Sequence, residues 1–284
     1  MPSAIEPVLV PLGSAEIIDI SGPDAAAFAH AQFASDVAGL GVGAWQYSAW
    51  LSAQGRTRAV FVLMRPDADR FLAWLPLGGA AAIRDALARF VLRAKVKIES
   101  RDGWGLAAVD AGEFDLEPRE ARAHGPGFAF TQPGPLARIG WLGPAEAKPA
   151  ANALLNEWRL ADIAARLPWL DPAVQDEFVP QALDLPRIDA IRFDKGCYPG
   201  QEIAARLHFR GGIKRNLYRV RIDGDDTLAP GSRILDDTTQ AGTVLYGARR
   251  NDGAFESLCV LADASTASLR LVTEHGRLAS IVAP

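Results

Sequence analysis

The stretch Lys195-Gly196-Cys197-Tyr198-Pro199-Gly200-Gln201-Glu202 decides how the chain is interpreted, because it surrounds one cysteine with residues that force tight backbone geometry. Its glycines and proline favour a loop that exposes Cys197. Lys195 lies two residues before the thiol, and a nearby cation favours thiolate over thiol. Gln201 and Glu202 can hydrogen-bond a ligand or fix the loop. The pattern predicts a functional thiol at Cys197; the alternative is a structural turn with a buried, inert cysteine.

The residues around this stretch extend the pattern. Phe178-Val179-Pro180-Gln181 precedes it, and Ala205-Arg206 and Lys214-Arg215 follow it. With these flanks the segment resembles the signature of the YgfZ family, which is similar in fold to the aminomethyltransferase (T-protein) of the glycine cleavage system. The resemblance is close over residues 178–217. It is looser in the N-terminal half, where residues 51–56 (LSAQGR) match the family's strand–Gly–strand element. A motif of this length around a single Cys is a specific signal.

The resemblance implies a function and a fold. It implies a tetrahydrofolate-binding protein that supports the assembly or repair of iron–sulfur enzymes, including radical enzymes that modify tRNA. It also implies three lobes around a central ligand channel, with folate and iron–sulfur client proteins as partners. The motif positions carried over are Lys195, Gly196, Cys197, Tyr198, Gly200, Gln201 and Glu202. Ala164 stands where many relatives have Glu, so one polar contact that the resemblance implies lacks its acid. Asp184 stands where Asn is common, which is a milder change.

The hydrophobic pattern before the motif predicts an α+β unit rather than a doubly wound sheet. A strand over 15–20 leads into a helix with a Ser21 cap, whose buried side carries Phe28 and Phe33. A hairpin is predicted over 45–64 around the turn at residues 52–55. The remaining predicted elements are a strand over 71–75, a helix over 80–92 and strands over 96–100 and 104–109.

The second half of the chain is predicted to differ from the first. A Pro/Gly-rich connection covers 125–149, a helix follows over 150–165, and residues up to 186 are irregular. After Gly212, short β-rich runs separated by polar turns predict a small antiparallel barrel. We therefore expect three lobes: an α+β folate-binding lobe over 1–124, a helical and irregular lobe carrying the motif over 125–212, and the barrel over 213–284.

Composition and charge narrow the class of protein. The 284 residues include two cysteines, Cys197 and Cys259, too few for a disulfide scaffold or a cysteine-ligated cluster. Cys259 lies in an alternating run and is predicted to be structural. The formal net charge of −4 gives no overall attraction to DNA or to an anionic membrane. Because the N-terminal stretch has no signal-peptide pattern, we expect a cytoplasmic protein. We also expect a monomer and no metal site.

Four groups of residues are candidates for the folate pocket, and the first two are the motif and a strand. The motif supplies Tyr198, Gln201 and Glu202. A strand supplies an aromatic residue on which a pterin ring can stack: Trp45 and Tyr47 share one face, and Trp50, the residue we select, lies on the other. Hydrophobic core is the alternative for all three aromatic residues.

Two further features are charged. Asp36 can accept hydrogen bonds from the N–H edge of a pterin, or it can cap the next turn. Arg206 and Lys214 belong to a short basic stretch, 206–215, that can hold the glutamate tail of a folate. A solvated surface turn is the alternative for this stretch, and binding of tRNA phosphate is disfavoured by its shortness.

Three functions from different classes fit these residues, and whether the chain is an enzyme is left open. The first is a folate-dependent maintenance factor for iron–sulfur enzymes, with Cys197 as a functional thiol and Lys195 beside it. The second is a folate-dependent aminomethyl transferase acting on a small amine, which has no need of a thiol. The third is a non-catalytic docking module that folate stabilises.

Overall fold

The computed structural model describes residues 8–110, 114–134, 138–145, 152–224, 227–236, 238–263 and 271–282. Within them the chain forms two five-stranded antiparallel sheets, a closed six-stranded antiparallel barrel and four α-helices. The predicted α+β class with a C-terminal barrel is therefore confirmed. No helix among these residues is long and apolar enough to cross a membrane.

The secondary-structure elements are as follows. The strands are β1 (Val10–Ser14), β2 (Glu16–Ser21), β3 (Ala44–Leu51), β4 (Thr57–Asp67), β5 (Arg70–Leu75), β6 (Lys97–Ser100), β7 (Trp104–Val109), β8 (Ala121–His124), β9 (Gly127–Gln132), β10 (Arg138–Pro144), β11 (Arg215–Ile222), β12 (Arg233–Asp236), β13 (Thr239–Arg249), β14 (Phe255–Ala262), β15 (Leu271–Thr273) and β16 (Leu278–Ile281). The helices are α1 (Ala25–Gln32), α2 (Ala80–Ala88), α3 (Asn152–Ala164) and α4 (Gln201–Arg210).

The first sheet has the order β3-β4-β5-β2-β6 and contains the predicted hairpin. Strand alternation gives it two buried faces. Trp50 lies on the face covered by α1 and α2, whereas Trp45 and Tyr47 lie on the face that joins the central core. Helix α1 begins after Asp24 rather than with a Ser21 cap, and the Asp24 carboxylate accepts a hydrogen bond from Lys95 N at 2.7 Å.

The second sheet has the order β1-β7-β10-β9-β8 and includes two strands where the sequence predicts a connection over 125–149. Gly125 forms the turn between β8 and β9, whereas Gly127 and Gly143 provide room inside the sheet. A Cβ atom added at Gly127 would lie 2.6 Å from the Trp141 ring, and one added at Gly143 would overlap the same ring. The hairpin of β8 and β9 spans residue 124, so the lobe boundary predicted there remains a proposal.

The barrel has the order β11-β14-β13-β12-β15-β16 and closes because β16 pairs with β11. Its interior is apolar and includes Cys259, which is fully buried with its Sγ 3.2 Å from Ser257 Oγ. Burial raises the pKa of the Cys259 thiol to about 12. Cys259 therefore packs as a small apolar side chain, as the sequence predicts.

The central core joins both sheets, α3, the barrel and the segment between α3 and α4. Within it, the buried Asp162 carboxylate accepts hydrogen bonds from Arg138 Nη2 at 2.6 Å and from Trp169 Nε1 at 3.0 Å. Tyr246 of the barrel donates to Leu167 O at 2.7 Å. These polar contacts fix α3 and the segment after it against the second sheet and the barrel.

Candidate functional site

The motif loop is anchored to the end of α1 by Lys195. Its Nζ donates to the carbonyl oxygens of His30, Phe33 and Ser35 at 2.6, 2.6 and 2.8 Å. Cations stabilise the C-terminal end of a helix, where carbonyl groups lack intrahelical partners. Desolvation lowers the pKa of Lys195 to about 8, and the charge of Asp36 opposes this shift. Lys195 therefore binds the motif loop to the C-terminal end of α1, the helix that covers one face of the first sheet.

Two other motif side chains close the loop on itself. Tyr198 is buried and donates its hydroxyl to Arg192 O at 2.8 Å, and its burial raises the pKa of the phenol. Gln201 Nε2 donates to Lys195 O at 3.3 Å. Cys197 lies between these contacts and is exposed, as the sequence predicts. The loop is thus held on both sides of an accessible thiol.

Gly200 brings the motif against the hairpin turn between β3 and β4. It has φ 74° and ψ 2°, and it caps the N-terminal end of α4. A Cβ atom added here would overlap Ser52 O and lie 2.8 Å from Gly55 Cα. On the same helix, Ile203 packs against Gly55. The two segments that carry the family resemblance are therefore in direct contact.

Residues 206–210 of the basic stretch belong to helix α4, and residues 211–214 connect this helix to β11. Arg206 is exposed on α4, and His208 stacks on Phe193 with ring centroids 4.3 Å apart. Lys214 lies beyond the helix, before β11, and lines a separate groove. Glu202 is exposed in the first turn of α4. The folate-binding roles of these side chains remain predictions.

A cavity of about 620 Å³ opens beside the central core, and its size is typical of a small-molecule site. Trp45 and Tyr47 of β3 form an aromatic wall. The other lining residues are Leu116, Pro118, Arg119, Thr131, Gln132, Pro133, Gly134, Ala165, Leu167, Arg187 and Ile188. It is therefore assembled from five stretches that are distant in sequence.

Three lining residues carry, between them, four buried polar atoms that have no hydrogen-bond partner among the described residues. They are Trp45 Nε1, Tyr47 Oη and both Gln132 amide atoms, Oε1 and Nε2. Gln132 is 3% exposed, and Trp45 and Tyr47 are equally buried. Because an unpaired buried polar group costs about 1–3 kcal/mol, this cluster lowers the stability of the free protein beside the cavity.

Two arginines stand at this cavity. The Arg119 guanidinium lies 5.3 Å from the Trp45 ring centroid and 5.2 Å from that of Tyr47. Its backbone has φ 67°, a strained left-handed conformation for a non-glycine residue. Arg187 donates to Asp184 Oδ2 at 2.9 Å and to Arg166 O at 2.6 Å. The side chains present can recognise a flat, polar molecule that carries an anionic group.

The predicted pterin contacts lie elsewhere. Trp50 is fully buried against the helix layer and does not line the cavity. Asp36 is half-exposed, accepts a hydrogen bond from Gly39 N at 3.3 Å and lies 3.7 Å from His30 Nδ1. Sequence reasoning missed Gln132 because its strand was taken for a connection. The run Phe128-Ala129-Phe130-Thr131-Gln132 holds the signal: alternation places Gln132 on the buried face with Phe130.

Comparisons with known proteins identify relatives of this chain. No protein-family model matches the chain. The tRNA-modifying protein YgfZ of Edwardsiella ictaluri is 30% identical over 272 residues, covering 86% of this chain and 81% of that protein. The protein of the same name from Cronobacter sakazakii is 29% identical over 300 residues, covering 94% and 88%. An uncharacterized protein of Haemophilus influenzae is 32% identical over 228 residues, covering 77% and 75%.

A solved structure supports the fold. The glycine cleavage system aminomethyltransferase T from Bartonella henselae superimposes with a TM-score of 0.70 at 17% identity, covering 98% of this chain and 85% of that one. At this identity the likeness shows the fold alone, which is aminomethyltransferase-like. The identity to the Edwardsiella ictaluri protein over most of both chains, together with the motif around Cys197, shows that the chain belongs to the YgfZ family.

Proposed function

We propose that the chain binds tetrahydrofolate in the cavity beside Trp45 and Tyr47 and supports the assembly or repair of iron–sulfur enzymes, with Cys197 as its functional thiol. The observation that carries the proposal is the cavity itself, about 620 Å³ in volume, whose lining combines the aromatic residues Trp45 and Tyr47 with Arg119 and Arg187. The relatives from Edwardsiella ictaluri and Cronobacter sakazakii are named tRNA-modifying proteins, which is consistent with clients that act on tRNA.

The residues present fit a folate. Gln132 offers one donor and one acceptor side by side, which complements the amide-like edge of a pterin. The rings of Trp45 and Tyr47 supply an apolar wall for a flat heterocycle. Arg119 and Arg187 are the cations that a carboxylate of the glutamate tail would meet at the cavity. When bound, tetrahydrofolate supplies a carrier for a one-carbon unit.

The thiol has a separate part in the proposal. Cys197 is exposed, whereas the unpartnered cavity atoms are buried. It does not line the cavity. An exposed thiol held in a fixed loop is suited to contact a client protein or its cluster. The proposal therefore assigns folate to the cavity and the client to the motif loop.

A calorimetric titration with tetrahydrofolate tests the cavity. Gln132→Leu removes both amide atoms at nearly constant volume, so we expect binding to weaken by about tenfold or more. The same change relieves an unsatisfied buried amide, so the free protein should unfold at equal or higher urea concentration. Gln240→Leu, an exposed glutamine on β13, is the matched control and should bind as the wild type does. Unchanged binding by Gln132→Leu would refute the cavity assignment.

Cys197→Ala tests the thiol. The variant should bind tetrahydrofolate normally and fail to restore iron–sulfur enzyme activity in cells that lack the protein. Full complementation by Cys197→Ala would refute a functional thiol. Loss of folate binding by the same variant would place the thiol at the ligand instead.

A further inference from the structure

A second concave surface is a groove of about 630 Å³ that shares no lining residue with the cavity. Its walls are the residue after the hairpin turn, the segment 177–182, α4 and the residues that precede β11. Five apolar residues form its floor: Phe178, Val179, Ala182, Leu207 and Ile213. Phe178 and Ala182 are each 3% exposed, so the open apolar area of the groove comes from the half-buried Val179, Leu207 and Ile213.

The edge of the groove is basic. Arg56, Lys214 and Arg215 line it, together with one acid, Glu177. Arg56 Nη1 donates to Glu177 O at 2.8 Å. Lys214 and Arg215 are exposed, and no hydrogen bond or ion pair joins their side chains to other described residues. Three cations against one carboxylate make this a local positive surface on a chain of net charge −4.

The walls of the groove are held in place by two hydrogen bonds and one close backbone contact. Thr57 N donates to Phe178 O at 2.8 Å, which joins β4 to the floor. Gln181 Nε2 donates to Ala204 O at 2.7 Å, which joins α4 to the same segment. With the close contact between Gly200 and Gly55, these bonds fix three of the four walls relative to one another. A pre-formed groove binds a partner without an ordering cost of its own.

We propose that this groove docks an acidic segment of a partner protein, with aliphatic side chains on its floor and carboxylates at Lys214 and Arg215. Charge complementarity selects the occupant, because the unpaired cations flank an apolar floor. The inference is independent of the folate cavity, with which the groove shares no residue. It gives Lys214 a role at a protein interface in place of the folate tail.

The same features disfavour a nucleic acid. Bases stack on exposed aromatic side chains, but the one aromatic residue of the groove, Phe178, is 3% exposed. Few phosphates could be neutralised by three cations on an acidic protein. A small inorganic anion would leave the apolar floor uncovered. A peptide with both carboxylates and aliphatic side chains satisfies both parts of the surface.

The proposal is tested by selecting binders to the wild-type protein from a random library of displayed peptides, each roughly 12 residues long. Enriched peptides should combine Asp or Glu with Leu, Ile or Val, and their fluorescein-labelled forms should bind with an affinity measurable by anisotropy. The double variant Lys214→Glu/Arg215→Glu should weaken this binding by about tenfold or more. Ile213→Ser, which changes the floor without changing charge, should also weaken it. Arg89→Glu/Arg93→Glu makes the same charge change at exposed arginines outside the groove and should not.

Several outcomes would overturn the proposal. The first is a selection that enriches no peptides with both acidic and aliphatic residues. The second is an equal loss of peptide affinity in the groove variants and in the control variant. The third is a single-stranded RNA oligomer that binds more tightly than the peptides and is equally sensitive to the substitutions at Lys214 and Arg215. Circular dichroism confirms that each variant is folded. A tetrahydrofolate titration separates the two sites: loss of folate binding in the Lys214→Glu/Arg215→Glu protein would return Lys214 to the folate site and refute the docking role.

Discussion

Gly200→Ala is the substitution that most directly tests how the motif is built. Gly200 has φ 74°, and its Cα faces the backbone of the hairpin turn on the first sheet. An alanine here costs about 1–2 kcal/mol for the left-handed conformation. Its methyl group would also overlap Ser52 O and lie 2.8 and 2.9 Å from Gly55 Cα and N. Backbone atoms cannot move aside by changing rotamer, so a further 1–3 kcal/mol, roughly the cost of overpacking, is expected.

The control for this substitution isolates the contact from the backbone strain. Gly276 has φ 76°, and no described atom lies within 4 Å of a Cβ atom added there. Gly276→Ala should therefore cost about 1–2 kcal/mol, against about 2–5 kcal/mol for Gly200→Ala. Urea unfolding followed by tryptophan fluorescence measures both free energies.

A local measurement accompanies the global one. Because Gly200 joins the motif loop to the turn, its substitution should speed alkylation of Cys197 relative to the wild type and to Gly276→Ala. Equal losses of stability in the two variants, within about 0.5 kcal/mol, would refute the close-contact argument. The glycine would then serve the helix cap alone.

Three further predictions concern titratable groups. In a 13C-lysine titration, the Lys195 side chain should have a pKa of about 8. Because this pKa is below that of an unfolded lysine, the free energy of unfolding should increase as pH rises from 8 toward 10.5. A pKa near 10.5 would contradict the desolvation of Lys195. Iodoacetamide should modify Cys197 in the folded protein but Cys259 only after unfolding, as counted by mass spectrometry. Asp162→Asn should lower the free energy of unfolding by about 3 kcal/mol, because it leaves the Arg138 guanidinium without its buried anion; a loss below about 1 kcal/mol would show that the pair is dispensable.

Local patterns in the sequence were sufficient for the first sheet and the barrel. The alternation around the turn at residues 52–55 predicts the β3–β4 hairpin, and Trp45, Tyr47 and Trp50 divide between its faces as expected. Regular short runs after Gly212 predict the barrel. In both regions local preference and tertiary burial agree, so the periodicity can be interpreted without knowing the neighbours.

The sequence misleads where a residue serves a distant neighbour. Gly127 and Gly143 look like turn residues but make room for the Trp141 ring inside a sheet. Helix α4 was missed because Ala204 is its one buried residue, so it lacks the apolar stripe that predicts a helix. The cavity could not be predicted because its lining comes from five separate stretches that only the fold brings together.

The motif itself divides into residues that hold the loop and residues that the loop presents. Lys195 donates hydrogen bonds to three carbonyl oxygens, and Tyr198 donates one to Arg192 O. Gly200 packs against the backbone of the hairpin turn. Substitutions at these positions would disable the protein through its fold, whatever its chemistry. Cys197 and Glu202 are exposed and have no side-chain hydrogen bond or ion pair to other described residues. Loss of function with an intact fold at these two positions alone would locate the chemistry of the motif.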